Sequence, residues 1–261
     1  MKRRIVLSSL FYCAVLLAPP SRAATLDDIL KAKVLRVAVP LDFPPFGSPG
    51  PDMKPVGYDI DVARLLAKDL GVSLELVPAA SADRISLLTG RKVDLLISSL
   101  GKTAEREKLI DFSHAYAPLF SGVFGDVKLA VGNAADLAGK TIGVTRGAVE
   151  DGVLTGMAPA TAVIKRYDDN HATIAAFLTG QVALVATGNI VAGTISEQQR
   201  ERKLDFKFMI KNAPCFIGVN KGEPGLLERV NAVLEKAKGD GSLNAIAGKW
   251  LKIKRPISSF L

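Results

Sequence analysis

Short apolar runs alternate along this chain with segments whose apolar residues recur at helical spacing. Val34–Val39 (VLRVAV) is predicted as a strand after a short helix over Leu26–Lys31, and it empties into Pro40-Leu41-Asp42-Phe43-Pro44-Pro45-Phe46-Gly47, a stiff loop presenting two aromatics. Tyr58-Asp59-Ile60-Asp61 then opens a helix to about Leu70, with Ile60, Ala63, Leu66, Ala67 and Leu70 on one face and Gly71 as its stop. A strand over Leu74–Val77, a helix over about Ala82–Thr89 and a strand over Val93–Ile97 complete a βαβαβ series, which predicts a parallel, doubly wound lobe.

A second series follows. Thr141–Val144 reads as strand, Thr145-Arg146-Gly147 as turn, and a helix starts at about Ala148; Val163-Ile164 and Val182–Ala186 are strands around a helix over Thr173–Leu178. Ile190–Gln199 reads as helix, Phe206–Ile210 and Cys215–Val219 as strands, and Leu226–Ala237 and Ser242–Trp250 as amphipathic helices. The fold class expected is α/β, with two such lobes in tandem.

Composition changes the picture mainly at the N-terminus. Met1-Lys2-Arg3-Arg4, the apolar run Ile5–Leu17 and the small residues Ser21 and Ala23 form a secretory signal over residues 1–23, with cleavage expected after Ala23. The run is shorter than the roughly 20 apolar residues needed to span a bilayer, so an exported, soluble, periplasmic protein is expected rather than an anchored one. The leader carries Lys2, Arg3, Arg4 and Arg22 and no acid, so the formal charge of +8 falls to +4 without it. The remaining bases are scattered, which argues against a nucleic-acid partner. Cys215 is then the only cysteine, and an intrachain disulfide is excluded. His114 and His171 are the only histidines and lack metal-ligand spacing, so neither a metal nor another cofactor is expected. Gly139-Lys140-Thr141 mimics the end of a phosphate-binding loop, but Ala134 stands where its first glycine belongs and a strand follows where a helix should.

The chemistry concentrates between Gly90 and Arg106 (GRKVDLLISSLGKTAER). A buried strand is followed by Ser98, Ser99, Gly101 and Thr103, small hydroxyls and free amides at a strand's carboxyl end, and then by an arginine whose planar fork matches a carboxylate. A small anionic or zwitterionic ligand is the natural occupant.

The chain resembles the family 3 extracellular solute-binding proteins, the periplasmic receptors of amino-acid ABC transporters. The resemblance rests on Pro44-Pro45-Phe46, Gly57–Ala63, Gly90–Asp94, Ser99–Arg106, Asp111-Phe112-Ser113 with Tyr116, Gly139–Gly147, and Asp240-Gly241-Ser242 with Lys249-Trp250-Leu251. It implies two doubly wound α/β lobes joined by two crossover strands, the type II periplasmic binding protein-like fold. Residues 24–121 plus 214–261 would form lobe 1 and residues 122–213 lobe 2, with the C-terminal helices packed back on lobe 1. Tyr116, Phe120 and Cys215 would flank the hinge.

By the same resemblance Arg106 pairs with a ligand carboxylate, Ser99, Gly101 and Thr103 surround it, and Ala148 and Val149 supply backbone amides from a helix start. Asp42 and Phe43 are candidate ligand-binding residues, Phe43 by stacking on the ligand's aliphatic part. Arg84 matches an arginine that holds a distal carboxylate, which favours an acidic amino acid or a dicarboxylate. The second lobe departs from the pattern: Thr187-Gly188-Asn189 stands where an aspartate usually receives the ligand's ammonium; Asn189 can accept a hydrogen bond but brings no charge, so the ammonium falls to Glu150 or Asp151, or the ligand lacks an amino group, as a dicarboxylate does. The partner implied is an ABC permease. An enzyme on the same fold, a periplasmic cyclohexadienyl dehydratase, is the alternative; it needs a general acid in the cleft, for which Glu150 is the candidate.

Overall fold

The computed structural model describes residues 26–198 and 204–261. The expected leader, its cleavage after Ala23, and Gln199 at the end of an expected helix lie outside the described residues. Helix α1 (Leu26–Ala32) leads into β1 (Val34–Val39), a two-strand ribbon of β2 (Ser48–Pro49) and β3 (Pro55–Val56), and then α2 (Tyr58–Leu70), β4 (Ser73–Pro78), α3 (Arg84–Thr89) and β5 (Leu95–Leu100). After α4 (Ala104–Leu109) and β6 (Ile110–Ala117) the chain builds β7 (Phe120–Gly125), β8 (Thr141–Thr145), α5 (Val149–Met157), β9 (Val163–Tyr167), α6 (Asn170–Leu178), β10 (Leu184–Gly188), α7 (Asn189–Gln198) and β11 (Asp205–Asn212). It closes with β12 (Cys215–Asn220), α8 (Pro224–Gly239) and α9 (Ser242–Leu251).

Two five-stranded sheets result, in the orders β4-β1-β5-β12-β6 and β11-β7-β10-β8-β9. The chain thus leaves the first sheet through Pro118-Leu119 and returns through Ala213-Pro214, giving the two α/β lobes with two crossovers that the sequence implied. The lobes are not wholly parallel, however. β1 runs parallel to β4 and β5, and β8 parallel to β9 and β10, while β6, β12, β7 and β11 pair antiparallel. The chain leaves through one crossover and returns through the other, so the strands flanking them, β6 with β12 and β7 with β11, run in opposite directions where they pair.

Burial explains why these residues form these elements. β5 is buried along its whole length because α-helices cover both faces of the sheet centre, and Leu95, Leu96 and Ile97 are fully enclosed. The strand also runs three residues further than its apolar core suggests, through Ser98 and Ser99, since the Ser98 hydroxyl donates to the Ala38 carbonyl at 2.8 Å and so costs little to bury. Helix α2 ends at Gly71, whose left-handed conformation turns its amide back toward the carbonyls of Ala67 and Lys68. On the outer side of α2, Asp61 accepts from Lys249 Nζ and Trp250 Nε1, both at 2.7 Å, and Asp69 accepts from Lys236 Nζ at 2.7 Å and from Arg229. These bonds seat α8 and α9 on the first sheet's lobe.

The ligand-side loop is fixed to α2 by its backbone. Tyr58 N donates to the Pro45 carbonyl and Asp59 N to the Phe46 carbonyl, both at 2.9 Å, which brings Gly57 against Phe46 with φ of 142°. A side-chain carbon at Gly57 would stand 2.2 Å from the Phe46 oxygen. Gly57→Ala is therefore expected to lower unfolding free energy by on the order of 1–3 kcal/mol or more in urea titration, through a forbidden dihedral and a displaced loop. An unchanged midpoint would show that this junction is not under constraint.

Candidate functional site

Three elements of the first lobe and three of the second meet around a small enclosed space. Its volume is about 30 Å³. Phe43, Arg84, Ser99, Gly101, Arg106, Ala148 and Val149, all expected from the sequence, line it. So do Ser81, Leu119, Ser121, Asn170 and Ala213, which sequence reading did not single out, and Glu150, which it offered as an alternative.

Arg84 opens α3 and is only 6% exposed. Its Nη1 donates to the Ser98 carbonyl at 2.8 Å, while Nε and Nη2 are buried without a partner. Among the described residues it forms no ion pair with its neighbour Asp83, the dull explanation for a charge at this position. Burial lowers its pKa, and Asp42, Asp59, Tyr116 and Glu150 oppose that shift.

Arg106 comes from α4, whose N-cap Thr103 accepts from Arg106 N at 3.2 Å. Thr103 thus sets the helix start and does not line the cavity. The guanidinium spans the lobes: Nη1 donates to the Gly101 carbonyl at 2.8 Å and Nη2 to the Gly147 carbonyl at 2.9 Å. Burial, and after it repulsion from Arg84, brings its pKa down to about 10, with Glu150 and Glu105 pulling the other way. It remains a cation at neutral pH.

Behind Ser99 lies a buried carboxylate. Asp59 accepts from the Ser99 hydroxyl at 2.8 Å and from Tyr116 Oη at 2.6 Å, and Tyr116 Oη in turn accepts from Ser99 N at 3.2 Å. Tyr58 Oη donates to the Tyr116 carbonyl at 2.6 Å, and the two rings stack with centroids 5.8 Å apart. Ser99 itself adopts φ of 49°, a left-handed conformation its hydrogen bonds hold in place. Full burial pushes Asp59 up to about 6, against the lowering effects of Tyr116, Ser99 and Arg84.

From the second lobe, α5 begins at Val149 with Ala148 as its N-cap; contrary to expectation the Ala148 amide is engaged, donating to the Thr145 carbonyl at 3.1 Å, which leaves the first-turn amides of Val149 and Glu150 at the cavity wall. Glu150 in its first turn is 7% exposed, and its Oε1 accepts from the Ser121 hydroxyl at 2.9 Å. Asn170 opens α6, and Asp42 crosses the cleft to it: Asp42 Oδ2 accepts from Asn170 N and Nδ2, both at 2.8 Å. Asp42 is therefore an interlobe contact at the edge of the cavity, joined to the lining residue Asn170 and next in the chain to Phe43, rather than a lining residue itself. Asn189 is also placed elsewhere. Its Oδ1 accepts from Phe120 N at 3.0 Å, because the first residues of β7 leave an amide that the end of β10 satisfies with a side chain. Tyr116, Phe120 and Cys215 do flank the crossovers, where Ala213 N donates to the Leu119 carbonyl at 3.0 Å; Cys215 is a fully buried free thiol.

Residues 35–253 match the profile of the bacterial extracellular solute-binding proteins, family 3. The chain belongs to this family. The L-cystine-binding protein TcyJ of Escherichia coli (strain K12) is 26% identical over 229 residues, 86% of this chain and 85% of that one. The ABC transporter glutamine-binding protein GlnH of Bacillus subtilis (strain 168) is 26% identical over 200 residues, 75% of this chain and 72% of that one. Among solved structures, the L-cysteine receptor of Neisseria gonorrhoeae superposes with a TM-score of 0.82 at 28% identity, covering 87% of this chain and 93% of its own. The fold is thus that of the type II periplasmic binding proteins. These relatives are named for the amino acids they bind, and the family 3 protein described here is a solute-binding protein rather than an enzyme. No helix among the described residues is long and apolar enough to cross a membrane.

The Asp59 environment makes a signed prediction. Its folded pKa, about 6, exceeds the ordinary value of 3.8, so the folded state holds this proton more tightly than the unfolded chain. The associated stability is fully present below pH 3.8 and is lost as pH rises through 6. Two pKa steps correspond to on the order of 2–3 kcal/mol. The unfolding free energy of the native protein minus that of Asp59→Asn should fall by about that much between acid and neutral pH in urea titrations, and a flat difference would refute the assignment.

Proposed function

We propose that this protein is a periplasmic receptor that closes its two lobes on a small carboxylate-bearing solute, an amino acid with a polar or acidic side chain, and presents it to an ABC permease. The observation that carries this reading is the charge pattern of the cavity: from one lobe the buried Arg84 and the half-buried Arg106, and from the other the buried carboxylate of Glu150. A zwitterion complements that pattern. Arg106 has five N–H donors, and the Gly101 and Gly147 carbonyls use two, so it retains donors for the ligand's α-carboxylate. The free amides at the start of α5 add to them, with the favourable helix-terminal field. Glu150 is oriented by Ser121 and keeps acceptor sites for the α-ammonium. Arg84 remains for the side chain, and Phe43 covers the aliphatic part.

An amino acid is favoured over a dicarboxylate because a dicarboxylate brings no ammonium to the buried Glu150. Relatives whose names specify cystine and glutamine support the amino-acid class. Closure follows as a population shift, since only the closed form lets one ligand touch Arg106 and Glu150 together. In this reading residues 1–23 are the export signal, removed after Ala23, and the lobes divide near residues 121 and 214.

A thermal-shift screen tests the class. Protein stripped of ligand by unfolding and refolding should gain about 5 °C or more with its cognate amino acid at a hundredfold excess over Kd. No response to any amino acid would reject the reading. Calorimetry then tests the roles. Arg106→Met should weaken binding by ~10- to 150-fold, the loss of one charge-assisted pair. Glu150→Gln should weaken the amino acid by a similar factor while leaving its deaminated analogue unaffected; equal losses for both would remove Glu150 from the ammonium site.

A further inference from the structure

Three buried polar atoms beside the cavity lack a partner among the described residues: Nε and Nη2 of Arg84 and Oδ1 of Asp42. Arg84 lines the cavity, and Asp42 adjoins it, bound through its other oxygen to Asn170 and followed in the chain by Phe43, both lining residues. No ion pair joins the two among the described residues, yet Asp42 acts more strongly on Arg84 than any other acid does.

We propose that Arg84 and Asp42 together form the subsite for the end of the ligand's side chain, and that this subsite takes a neutral carboxamide in preference to a carboxylate. The inference rests on the amino-acid-receptor reading above. A carboxamide oxygen has two lone pairs and accepts from Arg84 Nε–H and Nη2–H; its NH2 group donates to Asp42 Oδ1. One uncharged group thereby satisfies all three orphaned atoms. A carboxylate would satisfy Arg84 but bring a negative oxygen against Asp42, whose position Asn170 fixes through two hydrogen bonds. It would also add a charge where Arg84 already faces Asp42, Asp59 and Glu150. This revises the expectation of an acidic ligand drawn from Arg84 alone: the sequence shows the arginine but not the aspartate that folds beside it.

Calorimetric titration of the ligand-stripped protein near neutral pH with L-glutamine, L-asparagine, L-glutamate and L-aspartate decides the matter. The amide of at least one matched pair should bind at least about tenfold more tightly than its acid. Asp42→Asn, which replaces the lone acceptor with a group that also donates, should move that ratio about tenfold toward the acid. An acid that binds as well as its amide in the native protein overturns the proposal whatever the variant does. A ratio unchanged by Asp42→Asn removes Asp42 from the subsite and overturns it as well. If none of the four binds but another amino acid does, the carboxamide subsite falls and the receptor reading stands; if no amino acid binds, both fall.

Discussion

Keeping two positive charges inside a closed protein cleft is the constraint around which the structure is organised. A buried guanidinium is tolerable only when its donors are occupied and some negative charge lies within reach. Here the donors are met first by main-chain carbonyls, those of Ser98, Gly101 and Gly147, which come from strand and turn segments and cannot swing away. The acids are held by other partners: Asp59 by Ser99 and Tyr116, Asp42 by Asn170, and Glu150, which itself lines the cavity, by Ser121. The charges are thus balanced without being quenched in direct pairs, and the inner donors stay available to a ligand.

That arrangement reaches back into the core. Tyr58 and Asp59 open α2, Tyr116 lies near the end of β6, and Ser99 lies in β5, so one network of hydrogen bonds joins the loop-bearing helix, the sheet centre and the strand that leaves for the second lobe. The left-handed Ser99 is the local cost of turning a hydroxyl toward Asp59 while its amide meets Tyr116.

Much of this was legible in the sequence, for physical reasons that also explain what was not. β1, β5 and α2 announce themselves because burial on both faces or on one stripe demands apolar residues at fixed spacing. β6 (IDFSHAYA) and β7 (FSGVFG) mix polar and aromatic residues because they lie at the lobe junction, where hydrogen bonds replace apolar packing, and no periodicity marks them. Arg84 and Arg106 stand out in the sequence through the family resemblance of the segments that carry them, and both line the cavity. Thr103 and Asn189 were misplaced because a hydroxyl that caps a helix and an amide that finishes a strand look, in sequence, like groups that serve a ligand. The pairing of Asp42 with Asn170, 128 residues apart, belongs to the closed geometry alone.

The paired crossovers have a mechanical consequence. Ala213 N bonds to the Leu119 carbonyl, β7 pairs with β11 on one side of this bond, and β6 pairs with β12 on the other, so the two linkers form one continuous antiparallel ribbon. A ribbon bends easily across its plane, whereas sliding or twisting one linker against the other breaks ladder bonds. The lobes are left with essentially one soft degree of freedom, opening like a book along the line through residues 118–119 and 213–214. The line along which the lobes would part therefore runs through the cavity wall itself, because Leu119 and Ala213 belong to both.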